Sequence, residues 1–271
     1  MTDGKEEKSG ETGDAYVIAS VDRAAQLLIK LAEMPGSGVT ELAEATGTTK
    51  SLTFRLLYTL ERRGFVRKDA ERRIYSLGYR AMFMGDQARR QSPLIGTAEP
   101  VLADLAKRTQ ENALLLVRQG QDSVCIALRE SPQPLRIFAA VGRLGPLHAG
   151  GGPKVLLAHA PTDVRDAVLG GPLVAYTGKT VVSAEELRES LERIRQAGFA
   201  LSSGEIDPNT FSIAAPVRDQ SGEVIASLSV NGPTARLDDA TQEACRDAVL
   251  ENAMTLSRML GWFGEQYAVS G

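Results

Sequence analysis

The spacing of apolar positions changes part-way along the chain. Up to about Thr109 they recur at helical intervals. Beyond it, short apolar runs are separated by turn residues. The clearest helical stretch is 49–64, TKSLTFRLLYTLERRG. Wound at 3.6 residues per turn, it puts Leu52, Leu56, Leu57 and Leu60 on one side, with Ser51, Phe54 and Tyr58 opposite, flanked by Lys50, Arg55 and Arg62. Thr49 is placed to cap its start, and Gly64 to take the left-handed conformation past its end. Upstream, Ser20 is the expected cap of a helix carrying Val21, Ala24, Ala25, Leu28, Leu31 and Ala32, ended by Pro35, Gly36 and Gly38. Thr40 is expected to open a short helix, ELAEAT, that Gly47 breaks. Two short helices joined by a tight glycine-containing turn predict a helix-turn-helix with the 49–64 helix as reader.

The stretch FVRKDAERRIYSLG predicts a two-stranded hairpin turning at Asp69 and Ala70, with Lys68, Arg72 and Arg73 near its tip. Gly78 to Gln91 reads as helical, with Met82, Phe83 and Met84 as an exposed apolar cluster. Ser92-Pro93 interrupts it, and a helix resumes from Leu94 to Thr109 with Leu102, Leu105 and Ala106 inward. ALLLVRQG, DSVCIALRE and LRIFAAVG then predict three antiparallel strands. A glycine loop, LHAGGG, leads into a helix, PKVLLAHA. SAEELRESLERIRQAG is an amphipathic helix with a Ser183–Glu186 capping box and a stop at Gly198. FALSSGEIDPNT reads as a loop, FSIAAPVRD and EVIASLSVNG as strands around a QSG turn. A last helix opens at Asp238 or Asp239 and runs to about Trp262. Strands and helices in separate blocks make this half α+β.

At 271 residues the chain has room for two domains. Residues 1–15 are expected to be a disordered tail and 265–271 a short tail. The first stretch lacks the apolar core of a signal sequence, and no apolar run is long enough to span a bilayer, so no membrane partner is expected. Cys125 and Cys245 read as buried small hydrophobes in a reducing cytoplasm. Charge changes the picture more. Residues 16–90 hold 13 basic and 8 acidic side chains, whereas 91–271 hold 16 and 21. A net of +5 joined to −5 suits a small DNA-binding module fused to something else.

The chemistry follows from these placements. The outer face of the reader helix carries hydroxyls, aromatic edges and cations, suited to base edges and phosphates. A basic hairpin beside it can grip the backbone as a wing. The plain alternatives are a solvated amphipathic helix and a solvated charge cluster; the short turn and the adjoining hairpin favour DNA. In the second half, the glycines of the 150–152 loop permit close backbone approach to a ligand. Amides at the start of the following helix would favour an anionic one. A plain tight turn explains the same residues equally well. Ser202, Glu205 and Asp207 read as solvated loop groups.

In order and interval, SVDRAAQLL, KSLTFRLLYTLERRGFVR, YSLG, LHAGGGPKVLLA, GFALSSGE and IAAPVRDQSGEVIASLSVNGP make the chain resemble the IclR family of bacterial transcription regulators from about Ala19 to Trp262. The resemblance implies an α+β chain. A winged helix-turn-helix DNA-binding domain would occupy 16–80 and a linker helix 81–98, where the apolar cluster is a candidate dimer contact. A GAF-like effector-binding domain with an antiparallel sheet would occupy 99–264. It implies a double-stranded DNA operator of near-palindromic form, a small organic acid as effector, and a homodimer or homotetramer. The DNA-binding residues it points to are Thr49, Lys50, Ser51, Phe54, Arg55 and Tyr58, with Lys68, Arg72 and Arg73 from the wing. Those for the effector are His148, Gly150, Gly151, Gly152, Ser202, Ser212, Ser229 and Asn231. Period-two spacing puts Ser229 and Asn231 on one strand face. The chain departs from the family pattern where Ser202 replaces an aspartate and Pro153 a glycine. Three glycines replacing side chains of the ligand loop imply either a roomier pocket for a bulkier ligand or a looser loop with a ligand unlike the family norm. Leu52-Thr53 replaces the commoner Thr-Val order.

No G-x-S-x-G, H-E-x-x-H or Walker loop is present, and His148 and His159 are the only histidines. No cofactor, metal or catalytic residue is expected. The alternative is an enzyme acting on a small acid through the C-terminal domain, and it would have to show turnover.

Overall fold

The computed structural model describes residues 16–264; the expected tails lie outside them. The chain divides into two units, Met1–Gln91 and Ser92–Gly271.

The first unit is built on α1 (Ala19–Glu33), α2 (Val39–Ala45) and α3 (Lys50–Arg62), followed by β1 (Val66–Asp69), β2 (Ile74–Leu77) and α4 (Tyr79–Arg90). Leu27, Leu31, Leu42, Leu57, Val66 and Tyr75 form its core. The buried stripe of α1 is Leu27 and Leu31 with Leu28 partly covered, whereas Val21, expected inward, is 62% exposed. Ser20 does not cap α1. The helix starts one residue earlier, and the Ile18 carbonyl accepts from Val21 N and Asp22 N. Nor does Thr40 open α2. Gly38 stands at the cap and donates its amide to the Glu41 carboxylate at 2.8 Å. The β1–β2 pair is antiparallel, with Val66 opposite Leu77 and Asp69 opposite Ile74, as the hairpin pattern requires.

In the second unit a six-stranded sheet runs β5-β4-β3-β8-β7-β6, antiparallel throughout. The strands are β3 (Asn112–Gln119), β4 (Asp122–Arg129), β5 (Leu144–Pro146), β6 (Ala200–Ser203), β7 (Thr210–Arg218) and β8 (Val224–Pro233). Alternation along each strand sends side chains to two different cores. Ala113, Leu115, Phe211, Ile213, Ala215, Val217, Leu228 and Val230 pack on α5 (Pro93–Thr109) and α9 (Asp239–Met259). Leu114, Leu116, Cys125 and Ala214 pack on α6 (Gly151–Ala158) and α8 (Ala184–Ala197). Both cysteines are buried, as expected.

The helix ends follow local chemistry. Ser92-Pro93 begins α5, because Ser92 Oγ accepts from Ile95 N and proline suits the first helical position. Ser183 accepts from Glu186 N at the start of α8, but only this half of the expected box forms among the described residues. Gly198 ends α8 at φ 75°, and Asp238 caps α9. Leu187, Leu191 and Ile194 then seat α8, each burial stabilising by about 1.5–3 kcal/mol.

Two expectations fail here. LRIFAAVG is not a strand: Ile137 and its neighbours run as irregular chain, held where Asn112 Nδ2 donates to the Ile137 carbonyl at 3.0 Å. The strand beside β4 is instead Leu144–Pro146. Part of FALSSGEIDPNT, expected as a loop, is strand β6 paired to β7, with Ser202 opposite Ser212. A further helix, α7 (Thr162–Gly170), was not foreseen.

Candidate DNA-reading surface and ligand cavity

In the first unit α3 turns one face outward. Thr49 Oγ1 accepts from Leu52 N at 3.3 Å, so this hydroxyl caps the helix. Thr53 is fully buried and shares a 2.7 Å hydrogen bond with Thr48 Oγ1, which in turn contacts Thr46 Oγ1 at 2.9 Å. This hydroxyl chain fixes the turn between α2 and α3. The Leu52-Thr53 order therefore sends a threonine inward and leaves the outer face as the helical period sets it. On that face Lys50, Ser51 and Arg55 are exposed, with Phe54 48% and Tyr58 53% exposed. The two rings, four residues apart, stand on the same exposed face as the cations.

The hairpin turn beside it is shaped by Asp69, whose carboxylate accepts from the Glu71 and Arg72 amides at 3.0 Å each. Arg73 takes the left-handed conformation at φ 56°. Lys68 lies 5.8 Å from the Tyr75 ring centroid. Lys50, Arg55, Arg62, Lys68, Arg72 and Arg73 make no ion pair among the described residues, whereas Arg108, Arg195 and Arg236 of the second unit are paired. Cations not consumed by carboxylates are available to phosphate.

The second unit encloses a cavity of about 660 Å³ on the face of the sheet that carries α6. Its floor is the polar set Ser202, Ser212, Ser229 and Asn231, one each from β6 and β7 and two from β8, with Leu114 and Leu116 from β3. Ser212 Oγ donates to Asn231 Oδ1 at 3.1 Å. Ser229 is 1% exposed and its hydroxyl has no partner among the described residues. A buried hydroxyl left unpaired costs about 1–3 kcal/mol, a cost that a ligand hydrogen bond would relieve.

Gly150, Gly151 and Gly152 also line the cavity, and α6 begins within them. Gly150 stands at φ 89°, which only glycine adopts cheaply. Two of the glycines stand where a side chain would crowd the sheet. A Cβ on Gly151 would lie 2.9 Å from the Ser212 carbonyl oxygen, and one on Gly152 3.2 Å from Leu116. They let α6 seat closely on the sheet, with its first-turn amides at the cavity. Glu205, read from sequence as a solvated loop acid, is buried there. Lys154 Nζ donates to it at 2.5 Å and Gly150 N at 3.1 Å, so it ties the start of α6 to the loop after β6.

His148 is the expected ligand residue that does not line the cavity. It is buried, 3.0 Å from the Val174 carbonyl, and stacks at 6.0 Å on Tyr176, which does line it. Tyr176, Arg143, Phe138 and Ile137 are lining residues that the sequence reading missed. The apolar run 135–142 was the available signal, taken there for a strand. Cys125 also lines the cavity. Burial pushes its thiol up to about 11, so it stays protonated near neutral pH.

The model of the IclR helix-turn-helix domain matches residues 20–70, and that of the bacterial transcriptional regulator IclR C-terminal domain matches residues 87–258. The chain belongs to the IclR family. It is similar to the regulator BhcR of Paracoccus denitrificans, at 36% identity over 90% of this chain and 88% of the relative. It is also similar to the transcriptional repressor IclR of Escherichia coli, at 30% identity over 82% of each. Among solved structures, an IclR transcriptional regulator from Alicyclobacillus acidocaldarius is 31% identical with a TM-score of 0.82, covering 91% of this chain and all of that one. An IclR homolog from Microbacterium hydrocarbonoxydans, solved with 4-hydroxybenzoate, shares the fold at 24% identity and a TM-score of 0.72, over 89% of this chain and 99% of that one. The protein is thus a transcriptional regulator with a helix-turn-helix DNA-binding domain and an α+β C-terminal domain. No helix among the described residues is long and apolar enough to cross a membrane.

Proposed function

We propose that this IclR-family protein is a ligand-responsive regulator. It binds a near-palindromic operator as a homodimer or homotetramer in the cytoplasm, and its DNA affinity is set by a small organic acid. Helix α3 enters the major groove, with Lys50, Ser51, Phe54, Arg55 and Tyr58 toward the bases and adjoining phosphates. Lys68, Arg72 and Arg73 of the hairpin hold the backbone. The observation that carries the DNA half is the outward face of α3 and the hairpin beside it, lined by cations without ion-pair partners among the described residues. Helix α4, with Met82, Phe83 and Met84 at 69, 62 and 55% exposure, is the candidate dimer contact. The ligand half rests on the Ser229 hydroxyl, without a partner among the described residues, in a cavity also lined by the glycines that begin α6. Cavities of roughly 300–1,000 Å³ suit small ligands. An acid held there switches the protein only if it binds two domain arrangements with different affinity.

A mobility-shift titration tests this reading. Purified protein is placed on the DNA upstream of its own gene, or on sites recovered by genomic selection, with and without a panel of aromatic and aliphatic acids. A specific shift that one acid strengthens or weakens is expected. Failure to find any specific site by either route would refute the DNA half, and a shift no acid alters would refute the ligand half.

A further inference from the structure

The cavity is electrically lopsided, and its shape and charge restrict what enters it. At one end lie the Gly151 and Gly152 amides, Ser212, Ser229 and Asn231. These are hydrogen-bond donors around a helix start, with one buried hydroxyl unpaired. At the other end stands Arg143, the only lysine or arginine among the lining residues. It makes no ion pair among the described residues. Its guanidinium carbon lies 5.8 Å from the ring centroid of Phe138, another lining residue.

The sheet fixes how far apart these ends are. The Arg143 carbonyl accepts from Cys125 N at 3.2 Å and Gly142 N donates to the Cys125 carbonyl at 2.7 Å, so Arg143 runs alongside β4. Crossing from there over β4 and β3 to β8 takes three strand spacings, roughly 14 Å between backbones. The extended arginine side chain shortens that span. The floor between is largely apolar, Leu114, Leu116 and Cys125, and the Ser123 hydroxyl beside them donates to the Gly145 carbonyl at 3.1 Å. Two carboxylates also line the cavity. Glu205 is taken up by Lys154 and Gly150 N. Asp207 lies beyond β6, at the edge of the sheet opposite Arg143, and accepts from Asn209 N at 3.0 Å. Neither opposes an anion beside Arg143.

Resting on the acid-pocket reading above, we propose that the ligand is a two-ended acid. One carboxylate is received by the Gly151 and Gly152 amides and the Ser229 hydroxyl. An apolar chain or ring lies on Leu114 and Leu116, and a second carboxylate is bound by Arg143. Arginine pairs with carboxylate by charge-assisted, often bidentate hydrogen bonds, which a methyl or a hydrogen at that end forfeits.

Calorimetric titration of the full chain with acids matched in length tests it: butyrate against succinate, hexanoate against adipate, octanoate against suberate, benzoate against terephthalate. In at least one pair the diacid is expected to bind about tenfold tighter than the monoacid. Arg143→Ala is expected to cost the diacid more than the monoacid and so to remove that advantage, and Arg143→Lys keeps part of it. Equal affinity for mono- and diacids in every pair, or an advantage that survives Arg143→Ala, overturns the proposal while leaving the acid-pocket reading in place. If no acid of either kind binds, both are overturned.

Discussion

The buried Lys154–Glu205 pair sets the position of α6 and gives the sharpest stability prediction. The two side chains are 4% and 9% exposed, and the carboxylate also holds the Gly150 amide. Replacing Lys154 by Met conserves the stem and deletes the charge, leaving Glu205 buried with one neutral donor. Breaking a buried pair from one side costs about 3–5 kcal/mol. For a unit of this size each kcal/mol lowers the melting temperature by roughly 2–4 °C. The double variant Lys154→Met, Glu205→Gln removes both charges and keeps an acceptor for Gly150 N. It is expected to recover most of the loss, to within about 1–2 kcal/mol of the parent. The assay is urea denaturation of the full chain read through Trp262. This is the chain's single tryptophan and it belongs to the second unit, so its emission reports that unit and not the other. A single variant within about 1 kcal/mol of the parent, or a double variant no better than the single, would show that α6 is not held as described.

Three further outcomes follow from the same geometry. Arg55→Ala, at an exposed position, should weaken operator binding by about 1–3 kcal/mol without lowering stability. If Arg55 meets a phosphate, the log–log salt slope should also fall by about 0.9. Affinity unchanged at low and high salt would remove Arg55 from the contact face. Ser229→Ala deletes a hydroxyl that has no partner among the described residues, so the ligand-free protein should melt no lower than the parent while acid affinity drops. A large loss of stability would instead assign Ser229 to the core. His159 is held down to about 4, by burial first and then by the charges of Arg218, Arg195 and Arg165. Its neutral form is thus favoured in the folded state. That stability is fully present above the unfolded value near 6.5 and is lost as pH falls from there through about 4. His159→Gln should flatten melting temperature against pH across that window, and an unaltered profile would place the acid sensitivity elsewhere.

What the sequence disclosed depended on whether one local rule acted alone. Helix α3 was legible because period, cap and stop agree in it: the leucines turn inward, Thr49 accepts from Leu52 N, and Gly64 takes φ 74°. The β7 and β8 strands were legible because their two faces meet different surroundings, so polar and apolar residues alternate. The run 135–142 misled because its apolar residues cover a cavity instead of pairing in the sheet, and periodicity cannot tell those fates apart. Strand β6 hid because Ser202 and Ser203 read as turn residues, although Ser202 is buried in the cavity floor. Glu205 was misjudged because its partner, Lys154, lies some fifty residues away in sequence. His148 sits beside the glycine loop in sequence, yet its ring turns to Val174 and Tyr176. The glycines suggested space, but at Gly151 and Gly152 α6 packs closely on Ser212 and Leu116.

The most direct test of a regulator switched by an acid is thermodynamic linkage. An acid that binds the protein is identified by calorimetry. DNA affinity is then measured by fluorescence anisotropy with and without saturating acid, and acid affinity with and without operator. Coupling of about 1–3 kcal/mol is expected, the same factor in both directions, and lost in Ser229→Ala. An acid that fills the cavity yet leaves operator affinity unchanged would contradict it.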